Sequence, residues 1–357
     1  MSGRALIYGA TGYTGREVAG RLKGLEPVLA GRDPVGVRAL AERLGLEWRA
    51  FPLTDASEIQ SALADIDVVL HAAGPFVETA GPMLDACLAT RTHYLDLAGE
   101  WPVFIDAMAR DAAARAVGVM VTPGVGLTIA ASDCLLAQAV ERWPDTVRLM
   151  LGVSRAQVFT KGSIASATRL LNSGVLVRRK GELTTEPAGS LAYAFDFGAG
   201  QTEAAAINWP DVVTGEFTTG VGNIETYSEF GWPLRAGYRA MAMAIDVTGP
   251  GPWRKAGEAL AAAWPEGPSP EARRAARYVM VVEALDRWRR PRRLTMVTLD
   301  GYTVSELTAA AAVERVLAGD WRPGFQTPAR AFGSEFVFEL GAASLTPSFQ
   351  SATEAAL

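Results

Sequence analysis

The 357-residue chain has little of what most polar active sites are built from: two cysteines, two histidines and four lysines. Cys87 and Cys134 sit in apolar helical patterns without a metal-like neighbour, so they read as reduced core thiols, and no metal site is expected. No Tyr is followed four positions later by Lys, which removes the Tyr–Lys pair of short-chain dehydrogenases. There is no excess of basic charge. The net charge of −5 and pI near 5.3 exclude bulk attraction to nucleic acid. There is also no uninterrupted apolar run. The longest, Ala116–Val140, is broken by Pro123, by glycines and by Asp133, so it reads as strand, loop and helix, and no integral membrane segment is expected. The N-terminus runs straight into a strand, Arg4–Tyr8, with no leader, which leads to the expectation of a cytoplasmic protein. Repeats and low-complexity segments are absent.

What remains is an ordinary globular composition, 49% hydrophobic and 20% charged, with enough apolar residues for two cored domains. The strand at residues 4–9 feeds Gly9-Ala-Thr11-Gly12-Tyr13-Thr14-Gly15 and then a helical pattern. In such a unit the first glycine permits a tight turn, the second lets backbone approach a pyrophosphate, and the third lets helix and strand pack closely. The helix N-terminus offers N–H groups and a positive dipole end. A second apolar run, Pro27–Ala30, follows at the distance of the next parallel strand and ends Gly31-Arg32-Asp33. NAD-selective sites place an acid where Gly31 stands. Arg32 can instead pair with a 2′-phosphate, while Asp33-Pro34 reads as a helix N-cap. The cofactor expected is therefore NADP(H), with NAD(H) second. Strand and helix continue to alternate through Thr122, which implies an α/β fold: an N-terminal Rossmann, doubly wound parallel sheet. Ligands then sit beyond the strand ends, near Ala73-Gly74-Pro75-Phe76, Gly99-Glu100 and Pro123–Gly126.

The second half reads as an α+β domain with a mixed sheet. Thr146–Val153 is an expected strand, Lys161–Asn172 a helix, residues 175–230 strands and loops, Glu258–Trp264 and Pro270–Trp288 helices, Leu294–Leu299 a strand and Val304–Ala318 a helix. The expected domains are 1–130 and 131–330, with residues from about 300 to 357 a candidate to pack back on the first.

The stretches Gly9–Arg16, Ala30–Arg32, His71–Phe76, His93–Glu100, Pro123–Gly126, Asn208–Val213, Asn223–Tyr227, Asp300–Tyr302 and Pro323–Pro328 resemble the saccharopine dehydrogenase-like oxidoreductases, particularly the branch with trans-acting enoyl reductases. The resemblance implies an NADP(H)-linked fold whose second domain covers the nicotinamide, and hydride transfer to an enoyl C=C in one branch or a C=N in another. One departure stands out. Where the branch reads Phe-Asp after Gly126, this chain has Leu127-Thr128, so an acid expected in the crevice is missing.

Candidate catalytic groups are His71, at a strand end beside the presumed cofactor, Tyr227 and Lys161; each also has a plain structural reading. Glu100 could hold a ribose or cap a helix. Gly124 joins the cofactor set, and Gly126, Thr128, Asn223, Phe325 and Thr327 form the candidate substrate pocket. The apolar, aromatic character of residues 191–240 favours an enoyl over a polycarboxylate imine substrate. The alternatives are a saccharopine-type C–N oxidoreductase and a non-catalytic NADP(H) sensor or scaffold. The expected partner is a small-molecule substrate, and a homodimer is the candidate assembly. The cofactor reading has a direct check by tryptophan quenching: NADPH should bind about tenfold or more tightly than NADH, and Arg32→Ala should erase that difference of about 1.4 kcal/mol.

Overall fold

The structure is a computed structural model and describes residues 3–154, 160–163, 174–265 and 267–346. In the first half, short buried strands alternate with helices: β1 (Ala5–Tyr8), α1 (Tyr13–Arg21), β2 (Val28–Gly31), α2 (Pro34–Leu44), β3 (Trp48–Ala50), α3 (Ala56–Leu63), β4 (Val68–His71), α4 (Phe76–Thr90), β5 (His93–Asp96), α5 (Trp101–Ala109), α6 (Asp111–Val117) and β6 (Met120–Thr122). All six strands are parallel, in the order β6-β5-β4-β1-β2-β3. The direction of winding therefore reverses between β1 and β4, where open α/β sheets bind ligands.

The chain then runs through α7 (Leu127–Arg142) into β7 (Thr146–Val153), β8 (Gly174–Arg179), β9 (Glu182–Pro187), β10 (Ala192–Asp196), β11 (Gln201–Ala206), α8 (Asp211–Thr219) and β12 (Ile224–Ser228). Next come α9 (Leu234–Thr248), α10 (Gly251–Ala263), α11 (Pro270–Ala275), β13 (Tyr278–Asp286), β14 (Pro291–Thr298) and α12 (Gly301–Leu317). The last elements are β15 (Gly324–Phe325), α13 (Pro328–Phe332), α14 (Phe336–Glu339) and β16 (Ala343–Thr346). The second sheet is mixed, in the order β10-β11-β12-β7-β13-β14-β16, with β8 and β9 attached through β12. Only β12 and β7 run parallel along that path.

Period-two alternation gives the second sheet two different faces. Leu149, Leu151 and Val153 turn toward Leu135 and Leu136 of α7, in one apolar cluster that also holds Ile7, Leu29 and Leu70 of the first sheet. Met150 turns the other way, into a cluster with Tyr227, Phe195 and Val281. Because α7 is buried on most sides, the two sheets share one core. The chain also returns to the first sheet. β15 pairs in parallel with β6 as a seventh strand, and Glu306 of α12 accepts from Arg21 of α1 at 2.9 Å.

Several expectations need correction. Pro270–Trp288 is helical only to Ala275; the remainder is β13, buried at nearly every position. The Ala/Arg-rich start keeps its helix, while the aromatic and β-branched run Tyr278-Val-Met-Val-Val282 suits a strand buried on both faces. Residues 175–230 include a helix, α8, beside their strands. Helix also covers far more of 231–264 than Glu258–Trp264. The charged run Arg178-Arg179-Lys180, which by composition alone would suit a solvated face, is engaged in the fold at its two arginines. Arg178 is buried and donates to the carbonyls of Val212 and Val213, and Arg179 pairs with Glu225. The expected helix Lys161–Asn172 lies outside the described residues beyond Ser163. Since the core is shared, Leu151→Ala should destabilise both sheets in one transition by about 2–5 kcal/mol. Native-state hydrogen exchange at β1 and β4 amides would register that loss, and unchanged protection there would mean separate cores.

Candidate functional site

The Ala72 N–H donates to the Tyr8 carbonyl at 2.7 Å, so the loops after β1 and β4 leave the sheet side by side. The turn after β1 has room only for glycine. Gly9 has φ +85°, and a Cβ there would lie 2.8 Å from the Ala72 carbonyl carbon and the Ala73 nitrogen. A Cβ on Gly15 would lie 2.3 Å from the Gly9 oxygen. Gly12 is exposed and serves as N-cap of α1, with no side chain capping the first turn, and Thr11, Tyr13 and Thr14 stand half-buried around it. An uncapped helix N-terminus behind a backbone-lined turn fits a pyrophosphate.

At the end of β2, Asp33 is occupied. Its Oδ1 accepts the Val35 N–H at 3.1 Å and caps α2, with Pro34 at the first helical position. Arg32 is exposed and has no ion-pair partner among the described residues. The acid is withdrawn into capping and the guanidinium is left available.

Two buried carboxylates tie the remaining crevice loops together. Asp96, at the end of β5, accepts from the Ala98 N–H at 2.8 Å, the Gly124 N–H at 2.7 Å and the Tyr94 hydroxyl at 2.7 Å. Burial pushes its pKa up to about 7, against those donors, which favour the charge. Glu100 is 1% exposed and accepts from the Phe76 N–H at 3.1 Å and the Gly99 N–H at 3.2 Å. It thus holds the start of α4, just after the cis Gly74–Pro75 peptide. Both of its oxygens are engaged with backbone N–H groups. Thr128 fills the space over Gly99, where a Cβ would meet it at 3.2 Å. Its carbonyl accepts from Trp209 Nε1 and Ser132 Oγ. Gly126 caps α7 and lies against Ser305.

The three candidate catalytic groups are not brought together. His71 is fully buried on the helix-covered side of β4, among Tyr8, Phe76 and Tyr94. Its Nε2 lies 3.0 Å from Thr79 Oγ1, whose proton goes to the Ala73 carbonyl, so Nε2 donates and the ring is the neutral ε tautomer. Burial lowers its pKa to about 3, which leaves no proton to give at neutral pH. Tyr227 lies on the face of the second sheet turned away from α7, and its hydroxyl donates to Glu225 Oε2 at 2.6 Å. Lys161 is exposed at the start of its helix. Asn223 bridges the Lys180 N–H and the Val147 carbonyl. Phe325 packs edge-on against Phe217 in the core, and Thr327 is buried against the Thr218 hydroxyl.

A different pair of hydroxyls lies near the start of α1. Ser163 Oγ and Tyr302 Oη are 3.0 Å apart, and the Tyr302 ring stands edge-on to Tyr13 at 5.2 Å. Asp300 caps α12 through the Tyr302 and Thr303 N–H groups, which fixes Tyr302 in the first turn. The Tyr13 hydroxyl donates to the Pro268 carbonyl at 3.0 Å, so second-half segments close over the start of α1. The Asp-Gly-Tyr run and its N-cap spacing were the sequence signal for Tyr302; Ser163 had none.

Residues 5–122 match the profile of the saccharopine dehydrogenase NADP binding domain. That match covers about a third of the chain. The chain is 35% identical over 104 residues to a trans-acting enoyl reductase of Mycobacterium ulcerans, a match covering 27% of this chain and 25% of that protein. It is 36% identical over 109 residues to a putative trans-acting enoyl reductase of Mycobacterium tuberculosis, covering 28% and 26%. The matches therefore span about a quarter of the length of those relatives. Over nearly the whole chain the fold is that of saccharopine dehydrogenase (L-Glu forming) from Saccharomyces cerevisiae, with TM-score 0.62, 12% identity and coverage of 97% of this chain and 100% of that one. It is also similar to homospermidine synthase from Legionella pneumophila in complex with NAD, with TM-score 0.64, 8% identity and coverage of 97% and 92%.

His71 gives a pH test. Its folded pKa, near 3, lies below the ordinary value of 6.5, so the unfolded chain takes up the proton first. The contribution to stability is complete above about 6.5 and is lost as pH falls toward 3. Nitrogen NMR should show the neutral ε tautomer unchanged from pH 8 to about pH 4. An imidazolium signal near pH 6 would contradict the buried placement.

Proposed function

We propose that the chain is an NADP(H)-dependent reductase acting on an activated C=C bond of a small to medium, fairly apolar substrate. The observation that carries the cofactor half is the end of β2, where Asp33 is spent on a helix cap and Arg32 is left exposed beside Gly31. The bare glycine turn would hold the pyrophosphate, and Arg32 the 2′-phosphate. When bound, NADPH supplies the hydride. The choice of C=C over C=N is supported by the crevice loops 73–76, 97–100 and 123–128, which contain no Arg or Lys to receive substrate carboxylates. The enoyl reductase relatives point the same way. The partner is then a small molecule, and a reducing, cytoplasmic setting suits two buried free thiols.

Saturating a C=C also requires a proton at the neighbouring carbon. Tyr302 is our candidate donor: its hydroxyl is hydrogen-bonded to Ser163, and its ring stands against Tyr13 at the start of α1. Ser163 would hold that hydroxyl in orientation. Tyr302→Phe should lower turnover of an enone by about 100-fold while NADPH affinity, read by tryptophan quenching, stays within about twofold. Turnover of a dicarboxylic imine with none of any enone would move the assignment to C–N chemistry, and NADPH binding without any oxidation of it would leave a sensor.

A further inference from the structure

Helix α9 is amphipathic with a second apolar face that no other element covers among the described residues. Its inner side, with Ala242 and Ile245 buried and Tyr238 half-buried, rests on the far face of the second sheet. On the outer side Ala236, Ala240, Met243 and Val247 are all exposed, Met243 at 62% and Val247 at 87%. These residues are spaced four, three and four apart, the spacing that keeps one seam of a helix facing a partner helix. A solvated helix face ordinarily carries charge at such positions.

Charge says which partner. Arg239 and Asp246 are exposed, flank the same side of the seam one heptad apart, and neither is in an ion pair among the described residues. If a second α9 runs antiparallel with the two-fold axis at the middle of the seam, Ala240 meets Met243 of the other copy and Ala236 meets its Val247. Arg239 then falls beside Asp246 of the other copy, twice, by symmetry. A parallel pairing would instead set Arg239 beside Ala244 of the other copy and leave both charges without a partner. The seam is therefore self-complementary in the way an isologous interface requires. Trp232, 77% exposed just before α9, would reach the Pro250–Pro252 turn of the second copy and extend a contact that 15 residues of helix make on their own. That extension matters, because a stable interface needs on the order of 1,600 Å².

We propose that this chain forms a two-fold homodimer in which α9 pairs antiparallel with α9 of a second copy, with reciprocal Arg239–Asp246 ion pairs. The proposal is independent of the reductase reading. The seam lies on the side of α9 away from the second sheet, so both copies keep their nucleotide crevices.

Sedimentation equilibrium of the full-length chain tests it. The wild type should be a dimer in the micromolar range. Arg239→Asp alone sets acid against acid, and Asp246→Arg alone sets base against base, so each should dimerise at least tenfold more weakly. Their equimolar mixture should recover the dimer, because both reciprocal pairs become attractive, and the double variant should recover it alone. Met243→Asp should be monomeric with no rescue by mixing. Unchanged NADPH titrations and circular dichroism show that each variant is folded. A wild type monomeric throughout, single variants that stay dimeric, or a mixture that stays monomeric would each overturn the pairing. A monomeric wild type that binds phosphatidylglycerol vesicles would reassign the seam to a lipid surface.

Discussion

The geometry of the crevice depends on how two buried carboxylates use their oxygens. Asp96 gathers N–H groups from the loop after β5 and the loop after β6; Glu100 gathers one from its own loop and one from the start of α4. Three loops that would otherwise be joined only through their strands are thereby fixed to one another at the strand ends. An apolar residue of equal size could fill either space but would leave buried N–H groups without acceptors, a cost of about 1–3 kcal/mol for each. Both positions invite reading as active-site acids. Their hydrogen bonds make them a frame around the site.

The two faces of the second sheet have different duties. One is sealed to the nucleotide domain through α7, in a core that runs without a break from Ile7 to Val282. The other carries an aromatic cluster and, at its margins, carboxylates held by arginines: Glu225 by Arg148 and Arg179, Glu283 by Arg293. Tyr227 belongs to that outer face, which is why its hydroxyl serves Glu225. Ser163 and Tyr302, by contrast, stand against Tyr13 at the start of α1.

Much of the first domain was legible because its signals are local. The glycine turn, the Asp33-Pro34 cap and the Gly31-Arg32 strand end each lie within a few residues. Thr146–Val153 also matched to the residue, since a β-branched start follows a clear break. The reading failed where distant contacts decide. The run beginning at Pro270 opens as a good helix, and the β-branched stretch Tyr278–Val282 that follows is completed as a strand between β7 and β14. Arg178 looks like surface until the α8 carbonyls it serves are in place. His71 was correctly placed at a strand end, but which face of the sheet it took, and so its lost proton, came from the packing of α4. Ser163 and Tyr302 are 139 residues apart, and no spacing rule joins them.

The seventh strand carries a kinetic implication. β15 docks on β6 only after about 200 further residues have been made, on the order of tens of seconds at ordinary rates of synthesis. Until then the nucleotide domain has an open edge at β6 and α1 lacks its cover from α12. The half of the protein that emerges first is thus completed last, and the ordering of its crevice loops waits on contacts of high sequence separation, which close slowly.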